Sequence, residues 1–215
     1  MPFAGAHGAA AVVKESYNLF RTNMRPGWAK TKEMIKKDPR RQPYKSFPRM
    51  GTLPKDWAHF KGHYVHDGKA IFSYSVGEGN VLDMPGMVKQ KGLTALTRTV
   101  QVENPLASVM LLAENDDSQI EMTDQTFTVS LEGRTCNFSL VDFSNGVKLF
   151  VWENLLLCEV PKGNSHFKLA MWAGDPAYQP AVASAAGKTE DLSRFTGGGS
   201  AQSVSYTHLT LPTRA

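Results

Sequence analysis

The sequence predicts an all-β fold, an antiparallel β-sandwich or a barrel-like pair of sheets, preceded by a Pro-rich, basic and mostly irregular N-terminal segment. Two observations carry this prediction. About nine short runs rich in β-branched and aromatic residues follow one another between residues 60 and 173, with turn residues between them, a spacing typical of sandwiches and barrels. Before them, residues 25–56 hold five prolines, a density that excludes a long helix or a central strand.

Residues 1–56 are expected to be a basic connector. Within residues 1–60 the chain carries twelve Lys and Arg against four Asp and Glu, although its net charge is only +4. Apolar residues spaced three to four apart permit a short helix before residue 24, and residues 30–37 can form one or two further helical turns. The aromatic residues expected to anchor the connector on a neighbouring surface are Trp28, Tyr44 and Phe47.

The antiparallel β domain is expected to span residues 57–173. Asp67 and Gly68 separate two runs rich in aromatic residues, 60–66 and 69–76. Because Asp and Gly tolerate positive φ, this dipeptide predicts a type I′ hairpin. The clean apolar face of the second strand consists of Ala70, Phe72, Tyr74 and Val76.

The remaining strands are predicted from alternating or continuously apolar runs between turn residues. A strand that starts at Asn80 is expected to end at Met84-Pro85-Gly86, because proline cannot donate to a sheet ladder. Turns are expected at residues 77–79, 115–118, 132–133 and 144–146. Further strands are expected at residues 94–103, 107–114, 126–131, 134–140, 147–152, 155–160 and 167–172.

The C-terminal part is expected to lie outside the domain. Residues 174–203 are rich in Ala, Gly and Ser, a composition that predicts a linker. Residues 204–215 resemble an in-frame translation of a sequencing-library adapter and are left out of fold reasoning. On this expectation the chain ends where a sequencing insert ended, and the natural protein continues beyond it.

No catalytic, cofactor-binding or metal-binding residue is predicted. His59, His63 and His66 are close in sequence. However, residues three apart on a strand point to opposite faces, so one metal ion cannot easily bind both His63 and His66. A free-standing enzyme with a carboxylate pair remains an alternative, and it requires two acidic side chains to converge in a cleft. The candidate carboxylates are Asp83, Glu103, Asp116, Asp117, Glu121 and Asp124.

Aromatic residues cluster around the first hairpin. Most of them should belong to the core, but a solvent-facing minority could stack on a sugar ring. The candidates for such ligand stacking are Trp57, Tyr64 and Tyr74.

The chain has two cysteines, Cys136 and Cys158, on predicted strands that could be neighbours. A disulfide between them would close a loop of about 20 residues and stabilise the fold by roughly 3 kcal/mol in the chain-entropy model. Two buried free thiols are equally compatible with the sequence.

Two classes of partner are not expected. No run of 18 apolar residues occurs, so no membrane span is predicted. The cationic run at residues 36–41 is interrupted by Pro39 and no recognition motif accompanies it, so no nucleic-acid partner is predicted either.

A block of three stretches has a specific pattern, LPKDWAHFKGHYVHDG at residues 53–68, FSYSVG at 72–77 and VLDMPG at 81–86. Asp38-Pro-Arg and Pro43-Tyr precede this block, and Leu96-Thr-Arg-Thr follows it. Over about residues 26–103 the pattern resembles an uncharacterised domain of large, secreted, planctomycete-type c-type cytochrome proteins. These proteins often also carry a sugar-dehydrogenase-like β-propeller.

The resemblance implies an exported protein, periplasmic or extracellular, in a redox or carbohydrate-degrading setting. The chain has no CxxCH motif, so no cofactor is assigned to these residues; haem c is expected only in a downstream part of the protein. We therefore expect a noncatalytic β module of an exported multidomain cytochrome c-type protein, cut off before its redox domain. Its partners would be the neighbouring domains of the same chain. The alternative is a carbohydrate-binding β-sandwich module, with carbohydrate as the partner.

Overall fold

The computed structural model describes residues 27–37, 41–42, 49–50, 56–90, 92–104, 106–114, 120–123, 125–131 and 134–197. Within them, two antiparallel sheets pack face to face, which confirms the prediction of an all-β, sandwich-like fold. The strands are β1 (Trp28–Ala29), β2 (Arg41–Gln42), β3 (Arg49–Met50), β4 (Ala58–His66), β5 (Lys69–Val76), β6 (Gly79–Gln90), β7 (Leu93–Asn104), β8 (Ser108–Glu114), β9 (Ile120–Thr123), β10 (Thr126–Leu131), β11 (Arg134–Phe143), β12 (Lys148–Trp152), β13 (Leu155–Val160) and β14 (Gly163–Ala173). The helices are α1 (Lys32–Lys36) and α2 (Gln179–Ala186), and two 3₁₀ turns lie at Pro176–Tyr178 and Leu192–Phe195.

The larger sheet has eight strands in the order β4-β5-β6-β7-β14-β11-β10-β9, and the smaller has four in the order β1-β8-β13-β12. β2 and β3 form a separate two-stranded ladder. The main core lies between the two large sheets. Val100 and Phe167 from the larger sheet and Met110 and Leu156 from the smaller one are fully buried there. We call the faces that meet at this core the inner faces, and the opposite face of the larger sheet its outer face.

The first hairpin is confirmed in its turn chemistry. His66 pairs with Lys69 across β4 and β5, which leaves Asp67 and Gly68 as the two turn residues. Their φ angles are 47° and 73°, the positive pair that a type I′ turn requires.

The strand after this hairpin is longer than the sequence predicts. β6 continues through Met84-Pro85-Gly86 to Gln90, still paired with β7, whereas its pairing with β5 ends at Asp83. Beyond Asp83 the β5 side of β6 has no ladder partner in the described part of the chain, so the missing N–H of Pro85 removes no sheet bond there. This is the edge position in which a strand tolerates proline.

Residues 174–197 form a covering layer instead of the expected linker. This segment, here called the strap, contains α2 and both 3₁₀ turns and lies across the outer face. Val182 packs beside Trp172, and Leu192 packs with Ile71; all four residues are 2% exposed or less. The outer face carries enough apolar side chains to require a cover, and the small residues of the Ala-rich α2 allow it to approach the sheet closely. Residues 198–203 of the expected linker, and 204–215, lie outside the described residues.

The connector is represented by a few segments. Trp28 is buried at the core, as expected of an anchor, and β1 pairs with β8. Residues 32–36 form α1, as predicted, and its Ile35 packs on the smaller sheet beside Leu155 and Leu157. The predicted helix before residue 24, the anchors Tyr44 and Phe47, and the turns at 115–118 and 132–133 lie outside the described residues.

The two cysteines are free thiols, each of them buried, and this corrects the expectation that they lie on neighbouring strands. Cys136 is in β11 of the larger sheet, between β10 and β14. Cys158 is in β13 of the smaller sheet, between β8 and β12. Burial raises the pKa of both thiols, that of Cys158 to about 12.

These thiols make the protein less stable in alkali. An unfolded thiol ionises near about pH 8.5, so above that pH the unfolded chain releases protons that the native state keeps. We expect the free energy of unfolding to fall by up to about 1.4 kcal/mol per pH unit for each thiol from that point upward. Denaturant titrations between about pH 8 and about pH 10 give the free energy of unfolding at each pH. This free energy should fall less steeply with pH in the double variant Cys136→Ala/Cys158→Ala than in the wild type. Parallel slopes, or a non-reduced mass lower by two hydrogens, would contradict the free buried thiols.

Candidate functional site

Polar side chains of the larger sheet form a network on its inner face and line two grooves on its outer face. On the inner face, Tyr74 of β5, Asp83 of β6 and Arg98 of β7 form one network. Arg98 Nε donates to Asp83 Oδ1 at 2.9 Å and to Oδ2 at 3.0 Å, and Arg98 Nη2 also donates to Oδ2. The Tyr74 hydroxyl donates to Asp83 Oδ2 at 2.8 Å. Three adjacent strands are therefore joined by their side chains as well as by their ladders.

This network extends across the core to the connector. Trp28 Nε1 donates to the Tyr74 hydroxyl at 3.3 Å, and Trp57 Nε1 donates to the Trp28 carbonyl oxygen at 3.2 Å. The Lys30 ammonium lies 5.3 Å from the centre of the Trp57 ring, within the range of a cation–π contact. The two indole N–H groups thus tie β1 to the larger sheet.

The electrostatics of the network stabilise one protonation state. The Asp83 side chain is 2% exposed and the Arg98 side chain 14% exposed. Burial, followed by the charge of Asp83, raises the pKa of Tyr74. Burial by itself would lower the pKa of Arg98, but Asp83 and Tyr74 outweigh it and raise that pKa. Tyr74 therefore stays neutral and Arg98 stays charged throughout the physiological range, as suits a structural ion pair.

The three aromatic residues predicted to stack on a ligand do not share a surface. Trp57 and Tyr74 are 8% and 5% exposed and belong to the main core, so their rings are not available to a sugar. Tyr64 is partly buried on the outer face, where it pairs with Ile71 and packs against the cluster that contains Leu192. Of the three, only Tyr64 remains a candidate contact for a ligand.

Two rows of side chains cross the outer face beside Tyr64, on β6, β7 and β14. The strand register places Asn80, Glu103 and Asn164 in one row. The next row along the strands places Gln101 beside His166. Because the polar side chains alternate with core residues along each strand, they all emerge on the same side.

The strap forms the second wall of two grooves along these rows. The His166 groove, about 280 Å³, has Gln101, Glu103, Asn164 and His166 on its sheet side and 189–191 on its strap side. The Tyr64 groove, about 210 Å³, is lined by Tyr64, Asn80, Leu82, Gln101, Glu103, Ser193 and Thr196. Gln101 and Glu103 belong to both grooves.

Polar contacts hold the strap in this position. Lys168 Nζ donates to the carbonyl oxygens of Ala186, at 2.9 Å, and of Lys188. Asp142 Oδ2 accepts the Thr189 N–H at 2.6 Å, and hydrogen bonding from Thr189 lowers the pKa of this carboxyl. Lys168 and Asp142 are cross-strand partners. Together they bind the strap backbone on both sides of Gly187.

Nearer the grooves, Gln101 Oε1 accepts the Leu192 N–H at 3.0 Å, and Lys69 pairs with Glu190 at 3.1 Å. Asp191 begins the second 3₁₀ turn, where its Oδ1 accepts the Ser193 N–H at 3.1 Å. The side of the strap that lines the two grooves is therefore held by hydrogen bonds and an ion pair as well as by apolar packing.

The carboxylates named from the sequence are dispersed. Asp83 is paired with Arg98, Glu121 is exposed on β9, and Glu103 lies in both grooves. Asp116, Asp117 and Asp124 lie outside the described residues. In the part of the chain that the structure describes, no group of three His, Cys, Asp or Glu side chains is arranged to hold a metal ion. The grooves offer amides, hydroxyls and carboxylates, a donor and acceptor set suited to hydrogen bonding with a polar ligand.

The inner-face ion pair predicts a large effect of removing one partner. Arg98→Met leaves the Asp83 carboxylate buried without its counter-charge, which should lower the free energy of unfolding by about 3–5 kcal/mol. Urea denaturation followed by tryptophan fluorescence measures this change. Lys148→Met is the matched control, because the Lys148–Glu159 pair is 64% and 42% exposed and should contribute less than about 1 kcal/mol. Equal losses of unfolding free energy in the two variants would show that the buried pair stabilises the fold no more than the exposed pair does.

Residues 4–83 match a family described as "Domain of unknown function (DUF6797)". The match includes Tyr64, Tyr74, Asn80 and Asp83, and it ends within β6, before Arg98 and the strap. No curated protein matches the chain. No helix in the described ranges is long and apolar enough to cross a membrane. Among the described residues, the matched part supplies α1, β1 to β5 and the first part of β6.

Proposed function

We propose that this chain is a noncatalytic β-sandwich module that binds carbohydrate in the Tyr64 groove. One observation carries the proposal: the groove combines an aromatic side chain with two amides, a carboxylate and two hydroxyls around a volume of about 210 Å³. Ligand sites are typically concave and combine apolar surface with a few convergent polar groups.

The lining suits the chemistry of a sugar. A pyranose presents hydroxyls that both donate and accept, and planar amide and carboxylate groups can bind two neighbouring hydroxyls at once. The Tyr64 ring supplies an apolar face with a polar tip, which complements the C–H face of a sugar ring. The polar residues of the groove's sheet side lie on the paired strands β6 and β7, so the sheet fixes the spacing of Asn80, Gln101 and Glu103.

The proposed noncatalytic role is supported by the structural contacts of the side chains whose pKa values are shifted most. Tyr74 and Arg98 bond to Asp83 in the core, Lys168 binds strap carbonyls, and the two cysteines are buried in separate sheets. These interactions maintain the fold and lie apart from the Tyr64 groove, whose lining contains none of these groups.

The test is a panel of neutral and amino oligosaccharides, screened on an array and then measured by isothermal titration calorimetry. We expect Tyr64→Ala to weaken binding by roughly tenfold, since a loss of about 1.4 kcal/mol of contact with the ring corresponds to that factor. Asn80→Ala is a second variant, because Asn80 is exposed and its removal should leave the fold intact. Tyr178→Ala is the control, since Tyr178 is 50% exposed and outside both grooves. A panel without binding, or equal losses in Tyr64→Ala and Tyr178→Ala, would refute the proposal.

We also propose that the module belongs to an exported multidomain cytochrome c-type protein and docks against neighbouring domains of that chain. The support is the sequence resemblance over residues 26–103, whose most specific block, residues 53–86, supplies β4, β5 and the first part of β6. Haem c would then lie in a downstream domain. Reading the source gene beyond codon 203 tests this: a CxxCH-bearing continuation supports it, and a stop codon directly after that point refutes it.

A further inference from the structure

Glu103 occupies the centre of the candidate site. It lies on β7 between Asn80 and Asn164, and it lines both grooves. Its side chain is exposed, and within the described residues no donor pairs with its carboxylate. A carboxylate at this position can therefore accept hydrogen bonds from whatever occupies either groove.

Three lysines near the grooves have defined partners. Lys69 pairs with Glu190, Lys61 donates to Asn80 Oδ1, and Lys168 donates to strap carbonyls. The His166 groove contains Asp191 and Glu190 in addition to Glu103. Glu190 is thus paired with Lys69, whereas Glu103 and Asp191 have no salt-bridge partner among the described residues.

We propose that Glu103 makes this site select saccharides that carry a free amino group, such as oligomers of glucosamine, over neutral and anionic saccharides. The proposal rests on the carbohydrate-binding function proposed above. A protonated sugar amine has three donors, and its hydrogen bonds to a carboxylate are shorter and stronger than those between neutral groups. A uronic acid would place a second carboxylate beside Glu103 and be repelled.

The experiment compares three probes at about pH 6 and low salt: a glucosamine oligomer, its fully N-acetylated counterpart and an oligogalacturonate of equal length. We expect the wild type to bind the glucosamine oligomer roughly tenfold more tightly than the N-acetylated one and to show the weakest affinity for the uronate. Glu103→Gln keeps the size and hydrogen-bonding reach of the side chain without its charge, and it should bring the first two affinities together. The preference should also shrink as salt screens the charge.

Glu159→Gln is the matched control, because the Glu159 side chain lies on the smaller sheet, is 42% exposed and pairs with Lys148; it should leave the preference unchanged. Absence of binding to all three probes would overturn both this inference and the proposed function. Binding with no preference, or with a preference that Glu103→Gln retains, would overturn this inference and leave carbohydrate binding standing.

Discussion

The ion pair between Arg98 and Asp83 is the constraint around which the inner face is organised. A charged pair between two sheets is costly unless nearly every polar atom is satisfied, and the Tyr74 hydroxyl completes that set. Tyr74 in turn accepts a hydrogen bond from Trp28, so the strand that precedes α1 is positioned by the same network. The register of β5, β6 and β7, which places the row of polar side chains on the outer face, is specified by contacts on the inner face.

The second constraint is that both faces of the larger sheet carry apolar residues. The smaller sheet covers the inner face, and the strap covers much of the outer face. Where the strap crosses β6, β7 and β14 its fit is incomplete, and polar side chains line the gaps that remain. The candidate site is thus a consequence of how the outer face is covered, and it uses residues that no single hairpin could bring together.

The fold class could be predicted from the sequence because turn chemistry and alternation are local signals. Asp67 and Gly68 specify their hairpin by backbone conformation, whatever surrounds it. The end of β6 was predicted wrongly because proline is excluded only where a strand has partners on both sides, and that depends on how far β5 extends. The strap was missed because its Ala-rich composition resembles a linker, although Asp175 and Asp191 are residues of the type that cap helical turns, and both do so here. Glu103 was recognised as a carboxylate, but its position between Asn80 and Asn164 depends on a pairing of strands far apart in sequence.

The attachment of the strap to Lys168 and Asp142 determines where the chain can be cut without losing the candidate site. These two residues of the sheet hold residues 186–189, so the wall of the candidate site is attached to strands that lie well outside the matched residues 4–83. Cut at residue 83, β6 would end before most of its pairing with β7, and the inner-face ion pair would lose its arginine. A fragment that keeps these contacts therefore has to include Trp28, which bonds to Tyr74, and Leu192, which packs with Ile71. The matched range ends far before Leu192.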